Sequence, residues 1–285
     1  MTGKVRAARD RPGWPYFLGA YAMVWLYLNT FEIWRMLQAV TGPVAEFVPY
    51  GLAAAVGLGI VVWGRNAQRA RGTVSWGLVL AGVALAGIGL GVTDPLFPSK
   101  RIHVPQYILL ALVVRAGLSR ELSGWNLTLM GALLATLYGS HDELLQGLHP
   151  KRTYGMPDMQ VNALGALAGS LVAHGLRLLD RGVAAAAPPP TVNAGFAGAL
   201  FGFFLFLDAL LSFRGAAVPL WLVLPALAGL LCWAVADGLC HARYGYRRAF
   251  ALGALLIAAA LLYPFVPLIV GPLIVVPHVA PLVFE

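Results

Sequence analysis

Charge is what this sequence has least of. Of its 285 residues only 11% are Asp, Glu, Lys or Arg, against about 25% in soluble domains. A soluble enzyme needs a charged skin that so few residues cannot supply, so that class is excluded. Cysteine is scarce too, at two residues, which excludes a disulfide scaffold. Cys232 and Cys240 lie eight apart near one end of an apolar run and cannot bridge within one helix, so both are read as packing residues. Glycine is plentiful, at 33 residues, but follows no three-residue period, which excludes a collagen. What fills the chain is apolar: 59% of residues are hydrophobic and the mean hydropathy is +0.76. The fold class is all-α, a polytopic bundle of transmembrane helices.

A hydrocarbon core about 30 Å thick takes about 20 residues of helix. By run length, and by the charges that end each run, nine spans are expected, at 15–37, 44–64, 74–92, 104–117, 124–147, 158–179, 192–213, 218–237 and 248–270. The basic N-terminus and the presence of Glu32 and Arg35 in the first run point to a retained span, not a cleaved signal. If the N-terminus is inside, the outer side receives only Arg35, Lys100, Arg101, Lys151, Arg152 and Arg214 of the 20 Lys and Arg. That asymmetry places the N-terminus in the cytoplasm of an inner-membrane protein. The net charge of +8 is then topogenic and needs no nucleic-acid partner.

Three consecutive prolines in 182–191 stop a helix and mark a linker. The expected organisation is two N-terminal helices in 1–73, a four-helix core in 74–181, this Ala/Pro linker, and C-terminal helices in 192–285. The last stretch holds five prolines after Tyr263 yet stays apolar. It reads as a re-entrant or surface-lying tail.

Polar residues inside apolar runs ask for a reason, and here they gather at the outer ends of the third to sixth spans. One segment supplies Asp94, Lys100, Arg101, His103, Gln106 and Tyr107; another supplies His141, Asp142, Glu143, Gln146, His149, Lys151, Arg152, Asp158, Gln160 and Asn162. At about 100° per residue, Glu143 and Gln146 share one helix face, and Asp158, Asn162, Gly165 and Gly169 form a narrow stripe. Gly165 and Gly169 have the spacing that lets another helix approach closely. Lys100, His103 and Tyr107 fall along one helix edge, where they can meet the carboxylates.

These residues resemble the pattern of the VanZ-like family of integral membrane proteins. Lys100 and His103, Glu143 and Gln146, Arg152, Asp158, Asn162 and Gly165 match it in order, over about 74–179. Ser99 stands where an acidic residue is expected, and Val104 where the family often has Phe. The resemblance implies a four-helix membrane core at the cell envelope. The family is named for a protein associated with resistance to the glycopeptide teicoplanin.

The chemistry expected is a site for an anionic envelope lipid or lipid-linked precursor. Lys100, Arg101, Lys151 and Arg152 meet phosphate, Tyr107, Gln146 and Asn162 complete the binding set, and Glu143, His103 and Asp158 are the candidate acids and bases. No nucleophile motif is visible, so whether the site turns over is left open. A second reading makes the cluster a latch between helices in a non-enzymatic scaffold, with Asp158 on Arg152 and Glu143 on Lys100 or His103. A third, a proton-coupled transporter, would use Asp208 and Glu32. No metal is expected, because His141 and Glu143, two residues apart, point to different helix faces. No cofactor is expected, since no Gly-rich phosphate loop follows a strand.

Overall fold

The computed structural model describes residues 13–68, 73–93, 97–148, 155–182, 188–212, 218–239, 246–265 and 282–283. Among them the regular secondary structure is helical, with one exception. Val218–Pro219 (β1) pairs in parallel with Leu282–Val283 (β2) over two residues. The remainder of the proline-bearing tail lies outside the described residues.

The helices are α1 (Trp14–Tyr27), α2 (Thr30–Thr41), α3 (Val48–Gln68), α4 (Trp76–Gly91), α5 (His103–Leu118), α6 (Gly124–Leu148), α7 (Met156–Gly175), α8 (Pro190–Ser212), α9 (Leu224–Leu239) and α10 (Arg247–Ala260). Among the described residues, four helical segments are long and apolar enough to cross a membrane: Thr30–Gly64, Pro190–Ser212, Trp221–Leu239 and Arg247–Phe265. With large apolar side chains such as Leu18, Met36, Val40, Leu80 and Leu231 facing outward, the chain has the surface of a membrane-inserted protein.

The first expected span is interrupted. The helix stops after Tyr27 and restarts at Thr30, and the Asn29 side-chain amide donates to the Trp25 carbonyl at 3.1 Å. Such a side chain competes with the helix's own hydrogen bonds. No open loop follows at 38–43, because Pro43 enters a 3-10 turn, Gly42–Phe47, that carries the helical path into α3. Proline suits a first turn, where its missing N–H would have no partner anyway. The same rule applies to α8, where Pro190 is the first helical residue after the proline run.

Two compact units divide the chain: 1–139 with 157–184, and 140–156 with 185–285. The helix α6 begins in the first unit, and its residues from Ser140 onward belong to the second.

In the first unit, α5 is the central helix and is buried along most of its length. Helix α1 packs along it, close enough that a Cβ on Gly117 would stand 2.7 Å from the Phe17 ring. Tyr138 on α6 donates to the Phe17 carbonyl at 3.0 Å. Helix α7 lies against α5 through Gly165 and Gly169, whose added Cβ atoms would stand 2.9 and 2.8 Å from the carbonyl oxygens of Val104 and Ile108. Helix α4 meets α7 at Gly82 and Gly175. Ile108, Leu112, Val161, Ala168 and Leu176 form the apolar core between these helices.

In the second unit, α8 and α9 are in backbone contact. Gly195 faces the backbone of Trp233, Gly202 that of Ala226, and Gly229 that of Ala199. Without a hydrophobic drive in lipid, close van der Waals approach of this kind is what holds helices together. Helix α10 joins them by stacking Phe250 on Phe196, with ring centroids 4.4 Å apart. A groove of about 960 Å³ runs along the α8–α9 pair, floored by Gly195, Gly198 and Gly229. Cys232 lines it as an exposed free thiol and is not a packing residue. Cys240 lies outside the described residues.

Candidate functional site

The first unit assembles part of the expected site. Residues 98–102 form a 3-10 turn leading into α5, which projects Lys100 and Arg101 in different directions. The Lys100 ammonium lies 2.7 Å from the Asp158 carboxylate on α7, with the Lys100 side chain 36% exposed and that of Asp158 10% exposed. Arg101 stacks its guanidinium over the Tyr50 ring of α3, 5.5 Å from the centroid. A lysine has three N–H donors, so Lys100 keeps donors beyond the one given to Asp158.

Deeper along α5, His103 and Tyr107 are buried and their rings stack at 6.2 Å, as residues one turn apart on a helix can. Tyr27 on α1 meets the edge of Tyr107 at 5.9 Å. The Tyr27 hydroxyl donates to the Gln106 carbonyl at 2.9 Å, and the Gln106 amide donates to Thr30 at 2.8 Å. Asn162 lies one turn beyond Asp158 on α7. It is fully buried, and its amide nitrogen donates to the Gly139 carbonyl at 3.5 Å. The stripe of Asp158, Asn162, Gly165 and Gly169 therefore faces α5 and the end of the first-unit part of α6.

The second unit carries the other residues expected from α6. Glu143 and Gln146 are buried, and the Gln146 amide donates to the Glu143 carboxylate at 3.2 Å. Their i, i+3 spacing makes that bond possible. His141 does structural work in this unit. Its Nε2 lies 2.8 Å from the Leu256 carbonyl on α10, and its Nδ1 lies 3.2 Å from the Tyr263 hydroxyl. Arg152, with His149 and Lys151, lies outside the described residues, as does Asp94. Glu32 pairs with Arg35 on the surface at 3.5 Å, and Asp208 is exposed on α8.

Sequence reasoning missed a second polar layer in the first unit. Arg115, counted with the inner-side charges that set topology, is instead a core residue, 1% exposed. Its Nε donates to the Leu178 carbonyl at 2.9 Å and one Nη to the Thr128 hydroxyl at 3.1 Å. Thr128 in turn lies 2.6 Å from Nδ1 of His174, against which the Trp125 ring packs at 4.5 Å. The Asp180 carboxylate accepts from the backbone N–H of Gly124 at 3.0 Å, capping α6. Two non-glycine residues, Arg177 and Leu179, take left-handed backbone angles (φ 52° and 59°) on either side of Leu178. The available signal was an arginine inside LVVRAGL, flanked by apolar residues on both sides, whereas topogenic charges sit in loops.

No family model, curated protein or solved structure matches this chain.

Proposed function

We propose that this chain is a VanZ-like integral protein of a bacterial-type cytoplasmic membrane, with about nine spans, a four-helix core and its N-terminus inside. Its polar cluster works at the outer face, where it binds an anionic envelope lipid or lipid-linked precursor. A link to glycopeptide resistance of the teicoplanin type belongs to the same proposal.

The observation that carries the reading is the Lys100–Asp158 pair. A lysine held at 2.7 Å by a nearly buried carboxylate, yet itself more than one third exposed, is positioned and still able to bind an anion. A bilayer phosphate is the anion most available to such a group. Arg101 beside Tyr50 adds a second fixed cation on the same turn. Any turnover in the first unit falls to His103 and Asp158 as acids and bases, and Asp158 then serves both the binding and the enzymatic part of the reading.

A second reading, the interhelical latch, is favoured by the same pair together with the Asn162 bond to Gly139, since both join neighbouring helices of the first unit. The experiment separating the two is native mass spectrometry for retained lipid, with thermal stability in detergent, on wild type and on Glu143→Gln, Arg152→Ala and Asp158→Asn. Variants that stay folded and lose an anionic lipid support the binding site. Variants that melt early, beside a wild type that carries no specific lipid, support the latch.

A further inference from the structure

Arg101 stands apart from the other buried and half-buried cations of the first unit. Lys100 is held by Asp158, Arg115 by the Leu178 carbonyl and Thr128, and Arg120 by the Tyr16 hydroxyl at 3.4 Å. Among the described residues no hydrogen-bond acceptor meets the Arg101 guanidinium. Its partner is the Tyr50 ring, with the centroid 5.5 Å away.

The group is therefore held in place with its donors uncommitted. Helix α3 packs on the 98–102 turn and brings Tyr50 to it. The Arg101 Nε is closed off from solvent without a partner, whereas the two Nη nitrogens are not closed off. A planar guanidinium braced by a ring presents its outer N–H groups as a fork that matches two oxygens of one oxyanion. Lys100 cannot make that contact, because an ammonium is a point charge without a fork.

The surroundings indicate what carries the oxyanion. Tyr50 is exposed, and so are Phe47, three residues before it, and Phe97, at the start of the turn. The Lys100 ammonium lies 5.6 Å from the Phe97 ring. Exposed aromatic rings interleaved with Lys and Arg at helix ends are the pattern of a surface at the headgroup level of a bilayer. A phosphate reaches such a surface from the side, without entering the helix core. A free phosphate ion gains nothing from these rings, whereas a lipid lays its glycerol and acyl chain on them.

We infer that a lipid phosphate is gripped end-on through two oxygens by the Arg101 guanidinium, that Tyr50 is the residue positioning this guanidinium, and that Lys100 adds a single-point contact beside it. This rests on the lipid-binding reading above and adds Tyr50, which no sequence motif singled out.

The test uses the purified full chain, delipidated in detergent and titrated with phosphatidylglycerol or phosphatidylcholine under native mass spectrometry. Inorganic phosphate is the competitor, and the thermal midpoint of each variant checks its folding. Arg101→Lys keeps the charge and removes the fork, and is expected to weaken phosphatidylglycerol binding about tenfold. Tyr50→Leu is expected to weaken it about threefold, Tyr50→Phe to restore most of that loss, and Tyr50→Leu to cost nothing more on top of Arg101→Gln. An excess of inorganic phosphate is expected to leave the lipid bound. Wild-type affinity in Arg101→Lys, or a Tyr50→Leu loss that is the same with and without Arg101→Gln, overturns the inference and leaves the lipid-binding reading standing. Failure of wild type to bind phosphatidylglycerol above phosphatidylcholine, or release of the lipid by an equal concentration of inorganic phosphate, overturns both. Where Tyr50→Leu melts early, the Arg101→Lys titration decides by itself.

Discussion

The carbonyl oxygen of Val104 occupies the space that a side chain on Gly165 would need, 2.9 Å from where its Cβ would stand. Because the obstacle is backbone on a buried helix, it cannot swing aside as a flexible side chain would. Gly165→Leu is therefore expected to separate α7 from α5 and to destabilise the first unit by about 1–3 kcal/mol. Gly87 on α4 meets nothing within 4 Å, and Gly87→Ala is expected to be neutral or stabilising by up to about 1 kcal/mol. Thermal midpoints of the two variants in one detergent check the contrast.

Arg115 is held on two sides, by the Leu178 carbonyl and the Thr128 hydroxyl. Arg115→Met keeps the apolar stem but leaves both of those groups without their donor. A loss of about 2–3 kcal/mol is expected, as when two buried acceptors are left without a donor. Thr128→Val is milder, at about 1 kcal/mol. Unfolding by SDS titration in mixed micelles measures both.

The Lys100–Asp158 pair is expected to behave as an ion pair open to solvent on one side. Lys100→Asp and Asp158→Lys should each lower the thermal midpoint, and the double exchange should recover part of the loss. The coupling energy is expected at or below about 1 kcal/mol, because an exposed lysine is screened and loses side-chain freedom when held. A double-mutant cycle gives the figure. A coupling several times larger would move the pair from binding site to latch.

His141 anchors the 140–148 part of α6 to α10 inside the second unit. His141→Phe preserves the ring and leaves the Leu256 carbonyl without its partner, at an expected cost of about 1–2 kcal/mol. Tyr263→Phe removes only the longer contact at 3.2 Å and is expected to cost less than about 1 kcal/mol. Thermal midpoints again order the pair, with His141→Phe the lower.

What the sequence disclosed was periodicity. The stripe of Asp158, Asn162, Gly165 and Gly169 follows from 3.6 residues per turn, as do the stacking of His103 on Tyr107 and the bond from Gln146 to Glu143. Which helix the stripe would face does not follow, because it depends on side-chain and backbone fit between segments far apart in the chain. The glycine faces of α8 and α9 were hidden for another reason. In a chain with 33 glycines, the close pairing of Gly195, Gly202 and Gly229 cannot be told from glycines such as Gly51 and Gly57, which meet nothing. Arg115 was misread because the rule that counts arginines by position along the chain does not see which of them turn inward. The resemblance on which the VanZ-like reading stands rests on short spaced motifs, and those motifs place residues without naming a ligand.

The left-handed residues at 177 and 179 give the Arg115 layer a property that none of its hydrogen bonds has alone. Left-handed backbone at a non-glycine residue is unfavourable by about 1 kcal/mol, and here it occurs on both sides of the carbonyl that Arg115 holds. The bend is also closed by backbone hydrogen bonds from the Leu178 N–H to the Ala173 carbonyl and from the Arg177 N–H to the His174 carbonyl, so without the arginine it loses one restraint among several. Asp180, next in the chain, caps the Gly124 N–H from the same turn. Substitutions at Arg115, Leu179 and Asp180 are thus coupled through a single turn of backbone, and their effects will show epistasis. A second change in this turn should cost less once the first has loosened it.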